Sequence, residues 1–198
     1  MRLSINEQWA RGVRLFEVLN EVNFEQVAMG PSAYAAWLRS VYDLLKAEWP
    51  EIKLVSTPMA PNTRPEFAAS NTFLWMDALQ ARNIFRDSYL VGAHSYWSGE
   101  GNMFDVNIGL FFTQLLKYLP AGGQMSITEF SNNQPYDSDE VKADQYIRWS
   151  RALPSYVHSV YAFALSADDQ IYDMNRETWA RKLGTVLSVI PSLLGQAR

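Results

Sequence analysis

Val13-Arg14-Leu15-Phe16-Glu17-Val18-Leu19-Asn20, closing on Glu21, is the first of five short β-rich runs along the chain. The others are Ile52 to Thr57, Tyr89 to His94, Gln124 to Thr128 and Ser159 to Ser166. Each precedes a polar loop and then a helical pattern. Their ends fall near positions 21, 57, 94, 129 and 166, so the unit repeats in steps of 36, 37, 35 and 37 residues.

Between the runs the apolar residues change to helical spacing. Tyr34, Trp37, Leu38, Val41 and Leu45 share one face, as do Ile108, Phe111, Phe112, Leu115 and Leu119. Trp179, Leu183, Val186, Leu187 and Ile190 mark a last helix, Asp137 with Glu140 suggests a capped start for the fourth, and Glu66 to Arg82 fits the pattern less cleanly.

Alternating strands and helices of constant period imply parallel strands joined by right-handed crossovers. Ile52 to Val55 and Leu90 to Ala93 lack strict alternation, as parallel strands buried on both faces do. A doubly wound sheet would satisfy the same pattern. The equal repeats, and the polar and aromatic residues gathered at strand ends, favour a single α/β domain of the partial (β/α)8 TIM-barrel class over residues 1–198.

Composition removes several function classes. With 48% hydrophobic and 19% charged residues the chain can bury a sizeable core. Seventeen basic residues scattered among 21 acidic ones give a net charge of -4 and no phosphate-tracking surface, so no nucleic acid partner is expected. No cysteine is present, which removes disulfides, thiolate zinc sites and cysteine nucleophiles. No apolar run approaches the ~18 residues of a membrane helix, and Met1 to Arg14 carry no signal-type apolar segment. No membrane association is expected and localisation stays open. Gly99-Glu100-Gly101 and Gly122-Gly123 lack the further glycines of a dinucleotide loop.

Two acids close strands three units apart. Asn20-Glu21-Val22-Asn23 follows the first run, and Ile127-Thr128-Glu129-Phe130-Ser131 ends the fourth. Between them, Gly92-Ala93-His94-Ser95-Tyr96-Trp97 ends the third. Taken singly, either acid also reads as a helix cap, His94 as a structural histidine, Trp97 as packing, and Asn132 and Asn133 as turn residues.

Together these three motifs resemble the cellulase-like superfamily of retaining (β/α)8 glycoside hydrolases, whose strands four, six and seven end on Asn-Glu, His-x-Tyr and a Thr-Glu-Phe type run. The resemblance implies hydrolysis of a β-glycosidic bond in an oligo- or polysaccharide. It makes Glu21 the acid/base and Glu129 the nucleophile, with Asn20 on the neighbouring sugar hydroxyl and Tyr96 on the nucleophile. His94 would hold the acid/base side, and Trp97 would stack on a sugar ring. One carboxylic acid must protonate the leaving oxygen while a second, ~5 Å away, attacks the anomeric carbon. Glu21 must therefore hold a proton near neutral pH while Glu129 stays ionised.

The resemblance covers strands four to eight only, with Ser4 to Arg11 as the tail of the preceding helix. About 90 further residues, at roughly 30 per unit, would complete a barrel. The family's strand-two arginine falls in that missing part, and Phe163 stands where a tryptophan commonly floors the sugar site. An open sheet exposes edges that proteins usually cover, so a homo-oligomer or a complementing barrel half is expected. A catalytically silent carbohydrate-binding or assembly module is the alternative. No cofactor and no catalytic metal are expected, with His94 and His158 at opposite strand ends. A Schiff-base enzyme finds no strand-end lysine, since Lys53 begins a strand and Lys117, Lys142 and Lys182 lie on helices. Asp168 and Asp169 read as an acidic cap of the last helix.

Overall fold

Five parallel strands follow one another in chain order in the computed structural model, which describes residues 2–24, 29–62, 71–134 and 136–163. β1 (Leu15–Glu17) pairs with β2 (Lys53–Val55); β3 (Val91–Trp97) pairs with β4 (Met125–Asn132), and β4 with β5 (Val157–Ala162). A parallel bridge between Val55 and Leu90 joins the two sets. The Ser56 amide donates to the Leu90 carbonyl at 3.0 Å, and the Tyr89 amide to Leu54 at 2.8 Å. The order 1-2-3-4-5 never reverses, as in a (β/α)8 barrel and unlike a doubly wound sheet.

Helices fill the crossovers. After α1 (Arg2–Ala10), α2 (Pro31–Glu48) links β1 to β2, α3 (Thr72–Ala81) and α4 (Ile84–Asp87) link β2 to β3, and α5 (Asp139–Arg151) links β4 to β5. Pro31 opens α2, where its missing N–H costs nothing. The buried face of α2 is Tyr34, Leu38, Val41, Tyr42 and Leu45, each large apolar side chain contributing about 1.5–3 kcal/mol. α3 begins later than its apolar pattern suggests, because the Asn71 side chain caps the Phe73 amide at 2.9 Å. α5 starts on Ser138, whose hydroxyl accepts from Val141, and not on Asp137. The Asp137 carboxylate is engaged by Asn132 Nδ2 at 2.7 Å and Gln145 Nε2 at 3.2 Å.

The segment Phe111–Tyr118 is a 3-10 helix where the spacing predicts an α-helix. Its start has a local cause. The Gly109 carbonyl accepts from Ser95 Oγ at 2.5 Å and Trp149 Nε1 at 2.8 Å, and the Thr113 amide bonds the Leu110 carbonyl at 2.9 Å. An i to i+3 pattern is thereby seeded. Phe111, Phe112, Leu115 and Tyr118 still bury their side chains.

β2 and β3 approach closely at Gly92. A Cβ there would lie 2.2 Å from the Ser56 carbonyl oxygen, and the Gly92 amide donates to Ser56 Oγ at 3.0 Å. β3 and β4 run three and four residues beyond the ends read from sequence. Their register slips once: Ala93 faces Ile127 but His94 faces Glu129, so Thr128 is an extra residue in β4. The pairing with β5 also shifts between Ile127 and Phe130.

The core between β3, β4 and α5 is aromatic. Trp97 stacks on Trp149 at 5.4 Å, Phe130 stacks on Trp149 at 4.7 Å, and Tyr146 meets Phe130 edge-on at 5.0 Å. Trp97 is 2% exposed and its Nε1 donates to Gln145 Oε1 at 2.8 Å. It does not stack on a sugar: strand alternation turns His94 and Tyr96 to one face and Trp97 to the helical side. No helix among the described residues is long and apolar enough to cross a membrane. The expected last helix, Asp168, Asp169 and the fifth run after Phe163 lie outside the described residues.

Candidate active site

The chain leaves β1 through a strained turn. Leu19 and Glu21 have φ of 63° and 40°, a region that side-chain-bearing residues enter at a cost of order 1–3 kcal/mol and that clusters at functional sites. The turn is held from β2's side. Glu21 donates its amide to the Pro58 carbonyl at 3.1 Å, and Asn23, 5% exposed, bonds both backbone groups of Ala60, at 2.9 and 2.8 Å. The effect is to swing Asn20 and Glu21 over the strand ends.

His94, whose side chain is fully buried, stands between the two acids. Its Nδ1 lies 2.6 Å from Glu21 Oε1 and 3.6 Å from Glu129 Oε2. Nδ1 donates to Glu21 when the acid is ionised and accepts from it when the acid carries the proton. Tyr96 donates its phenol to Glu129 Oε2, and Asn20 Nδ2 donates to Glu129 Oε1 at 3.3 Å. One oxygen of Glu21, one of Glu129 and the His94 nitrogen all fall within 4.8 Å of one another. Both carboxylates remain about a fifth open to solvent.

The extra residue in β4 aims Glu129. A bulge shifts side chains from one face to the other, so Glu129 joins His94 on the mouth side while Phe130 returns to the core. Phe163, which the resemblance sets where a tryptophan commonly floors the sugar site, lies against Tyr96 edge-on at 6.3 Å.

Glu17 is the residue sequence reasoning missed. Its side chain is exposed at the end of β1, and its carboxyl is pushed up to about 6, chiefly by lost hydration. The Thr128 hydroxyl and His94 oppose that rise and the charge of Glu129 adds to it. A raised acid beside two others has a sequence signal only in hindsight: Glu17 stands four residues before Glu21 in a strand that is otherwise apolar. Asn132, expected as a turn residue, is instead a buried strand residue. Its Oδ1 accepts from Gly99 at 3.1 Å and Gln134 at 2.8 Å, tying the loops after β3 and β4 together.

Glu21, His94 and Glu129 offer an N/O donor set that could hold a divalent cation. In the structure the same atoms are engaged with one another and with Tyr96 and Asn20. His158 is remote from them in the fold, at the start of β5, its ring edge-on to Tyr89 at 6.3 Å.

No family model matches the chain, and no curated protein sequence does. Solved structures do. One is a glycoside hydrolase family 128 (subgroup III) curdlan-specific exo-β-1,3-glucanase from Blastomyces gilchristii. It is 17% identical, with a TM-score of 0.61 over 91% of this chain and 75% of that one. Another is a family 128 (subgroup II) endo-β-1,3-glucanase from Sorangium cellulosum, 18% identical, with a TM-score of 0.62 over 87% and 70%. A family 51 α-L-arabinofuranosidase from Bifidobacterium longum is 15% identical, with a TM-score of 0.51 over 81% and 41%. The order of its strands and its likeness to these structures give the chain the fold of the (β/α)8 glycoside hydrolases, of which it forms a part.

Proposed function

We propose that the chain is the catalytic part of a retaining glycoside hydrolase that cleaves a β-linked glucan, with Glu129 as nucleophile and Glu21 as acid/base. The observation that carries this reading is the placement of carboxylate oxygens of Glu21 and Glu129 within 4.8 Å of each other. That spacing suits direct attack, whereas an inverting pair stands ~6.5–9.5 Å apart to admit a water.

Glu129 attacks the anomeric carbon as the glycosidic C–O bond breaks, and Glu21 gives its proton to the departing oxygen. Water then attacks the glycosyl–Glu129 ester while Glu21 takes the water's proton, which restores both acids. Tyr96 donates to Glu129 and fixes one of its oxygens. Asn20 Oδ1 is buried and without a partner among the described residues, an acceptor suited to a sugar hydroxyl. His94 holds Glu21. β-1,3-Glucan is the substrate to try first, since several neighbours in fold are β-1,3-glucanases. Among the described residues β1 and β5 each pair with one strand only, which supports a second copy or a complementing barrel half at the open side.

The test is hydrolysis of laminari-oligosaccharides and aryl β-glycosides at several protein concentrations, with Glu129→Gln as control, followed by mass spectrometry after a 2-deoxy-2-fluoroglycoside. Turnover abolished in the variant and a fluorosugar ester on Glu129 are expected, with activity rising faster than concentration where assembly completes the site. Turnover equal in Glu129→Gln would overturn the assignment, and binding without turnover would favour a silent carbohydrate-binding module.

A further inference from the structure

Three strands each bring one metal-binding atom to the mouth. Glu21 follows β1, His94 lies on β3 and Glu129 on β4, and one nitrogen and two carboxylate oxygens from them lie within 4.8 Å of one another. Nδ1 of His94 is 3.6 Å from Glu129 Oε2 and 2.6 Å from Glu21 Oε1. The ligands of a tetrahedral zinc ion, with bonds of about 2.0–2.2 Å, stand about 3.3–3.6 Å from one another. The Glu129 spacing already matches, and the Glu21 spacing matches once that carboxylate swings back by about 0.7–1 Å, within reach of its side-chain torsions. Two further observations favour an ion. The His94 side chain is fully buried, so its nitrogen is held in one direction. Glu129 is oriented by hydrogen bonds from Tyr96 and, at 3.3 Å, from Asn20, as outer groups orient the ligands of metal sites. Both carboxylates are about a fifth exposed, which gives an ion its way in.

We propose that Glu21, His94 and Glu129 form an inhibitory site for a transition-metal dication of the zinc type, which competes with glycan for the two acids. Imidazole with carboxylate suits zinc, copper or nickel, whereas magnesium and calcium take about six or more ligands, nearly all oxygen. The ion takes the place of the hydrogen held between Nδ1 and Glu21 Oε1, which leaves to solvent. While bound, it engages the same two acids that the anomeric carbon and the glycosidic oxygen need, so ion and substrate exclude each other. One feature separates this site from that of a resident metal. When Nδ1 binds the ion, Nε2 of His94 must carry the ring's hydrogen, and Nε2 is buried without a partner among the described residues. Metal-bound histidines usually donate that hydrogen to an acceptor, and losing such an outer partner costs about 10- to 100-fold in affinity. The ion therefore comes and goes as an inhibitor does. The competition rests on the reading of Glu21 and Glu129 as the catalytic acids; the binding itself does not.

The full chain, stripped of metal by a chelator and dialysed, is titrated with zinc sulfate in a calorimeter at neutral pH. One ion per chain is expected, bound at least ~10-fold more weakly by Glu129→Gln and by His94→Gln. Glu129→Gln keeps the size of its side chain and covers the case in which His94→Gln, at a buried position, fails to fold. His158→Gln, remote from the site, should bind as wild type does, and magnesium should give no heat. In kinetics, zinc should raise KM for laminari-oligosaccharides and leave kcat unchanged. No heat from zinc, or isotherms alike in wild type and Glu129→Gln, would overturn the proposal, as would zinc inhibition that persists at saturating glycan. The calorimetric arm needs no turnover, so a chain that proves inactive fails the glycosidase reading while the ion site is decided separately.

Discussion

Tyr96 and Glu129 sit on neighbouring strands, and the phenol donates its hydrogen bond to the Oε2 of the acid. A hydrogen bond to a charged group is worth about 1.5–3 kcal/mol. Tyr96→Phe should therefore lower kcat by roughly 10- to 100-fold and leave the fold intact, as read by steady-state kinetics beside thermal melting. A kcat within twofold of wild type would mean that Glu129 is positioned by other groups.

Glu21 should matter in proportion to how much help the leaving group needs. Glu21→Gln should cost roughly 10²- to 10⁴-fold on a natural glycan, the range for general acid catalysis. An aryl glycoside with an acidic phenol departs without a proton, so its glycosylation step should be nearly unaffected. Equal losses on both substrates in single-turnover measurements would remove Glu21 from the acid's role.

Trp97 carries a stability prediction. Its side chain is sandwiched in the aromatic cluster with Phe130 and Trp149, so Trp97→Ala should destabilise the chain by about 3–5 kcal/mol. Trp97→Phe should cost much less, and neither should change glycan affinity except through unfolding. Chemical denaturation and a binding isotherm on the folded fraction check this; a selective loss of affinity in Trp97→Phe would restore the residue to the sugar site.

Glu17 gives the fold a pH dependence whose sign is fixed. Its folded-state value is raised from 4.5 to about 6, so the folded chain holds this proton more tightly than the unfolded chain does. The stability associated with it is full below about 4.5 and is lost as the pH rises towards about 6. Replacing Glu17 with Gln should raise Tm more at pH 8 than at pH 4. The same gain at both values would show that the carboxyl is not perturbed.

Gly92 should not tolerate even a methyl group. The 2.2 Å approach to the Ser56 carbonyl forces β2 and β3 apart if a Cβ is added, so Gly92→Ala should cost about 1–3 kcal/mol. An unchanged denaturation midpoint would mean that the two strands can separate freely.

The repeat of strand ends near 36 residues was enough to read parallel strands in consecutive order, because strand order in such a unit follows from the constant crossover. Asn20, Glu21, His94, Tyr96 and Glu129 could be picked from sequence through the resemblance of three short motifs to a known superfamily, and the structure brings their side chains into one hydrogen-bonded group. Trp97 was misplaced for a reason of phase: with the strand taken to end at His94, Trp97 looked like a loop residue, whereas the strand continues and alternation sends it inward to the core. Glu17 and Asn132 were not legible, since their roles depend on neighbours distant in sequence. The 3-10 segment was hidden likewise, because its cause, the occupied Gly109 carbonyl, is a tertiary contact.

The single extra residue in β4 makes the site sensitive to length more than to identity. Before Thr128 the strand is in step with β3, and after it the strand is in step again but one residue later. Deleting Thr128 would leave a regular ladder with the same partners, His94 still opposite Glu129, whereas one further residue inserted there and paired in the ladder would move Glu129 opposite Ser95 and turn the acid towards the helix-facing core. A chain with that insertion would keep every functional side chain and lose the pairing of Glu129 with His94, so a one-residue insertion in this short stretch should be far less tolerated than deletion of Thr128 or a substitution at it.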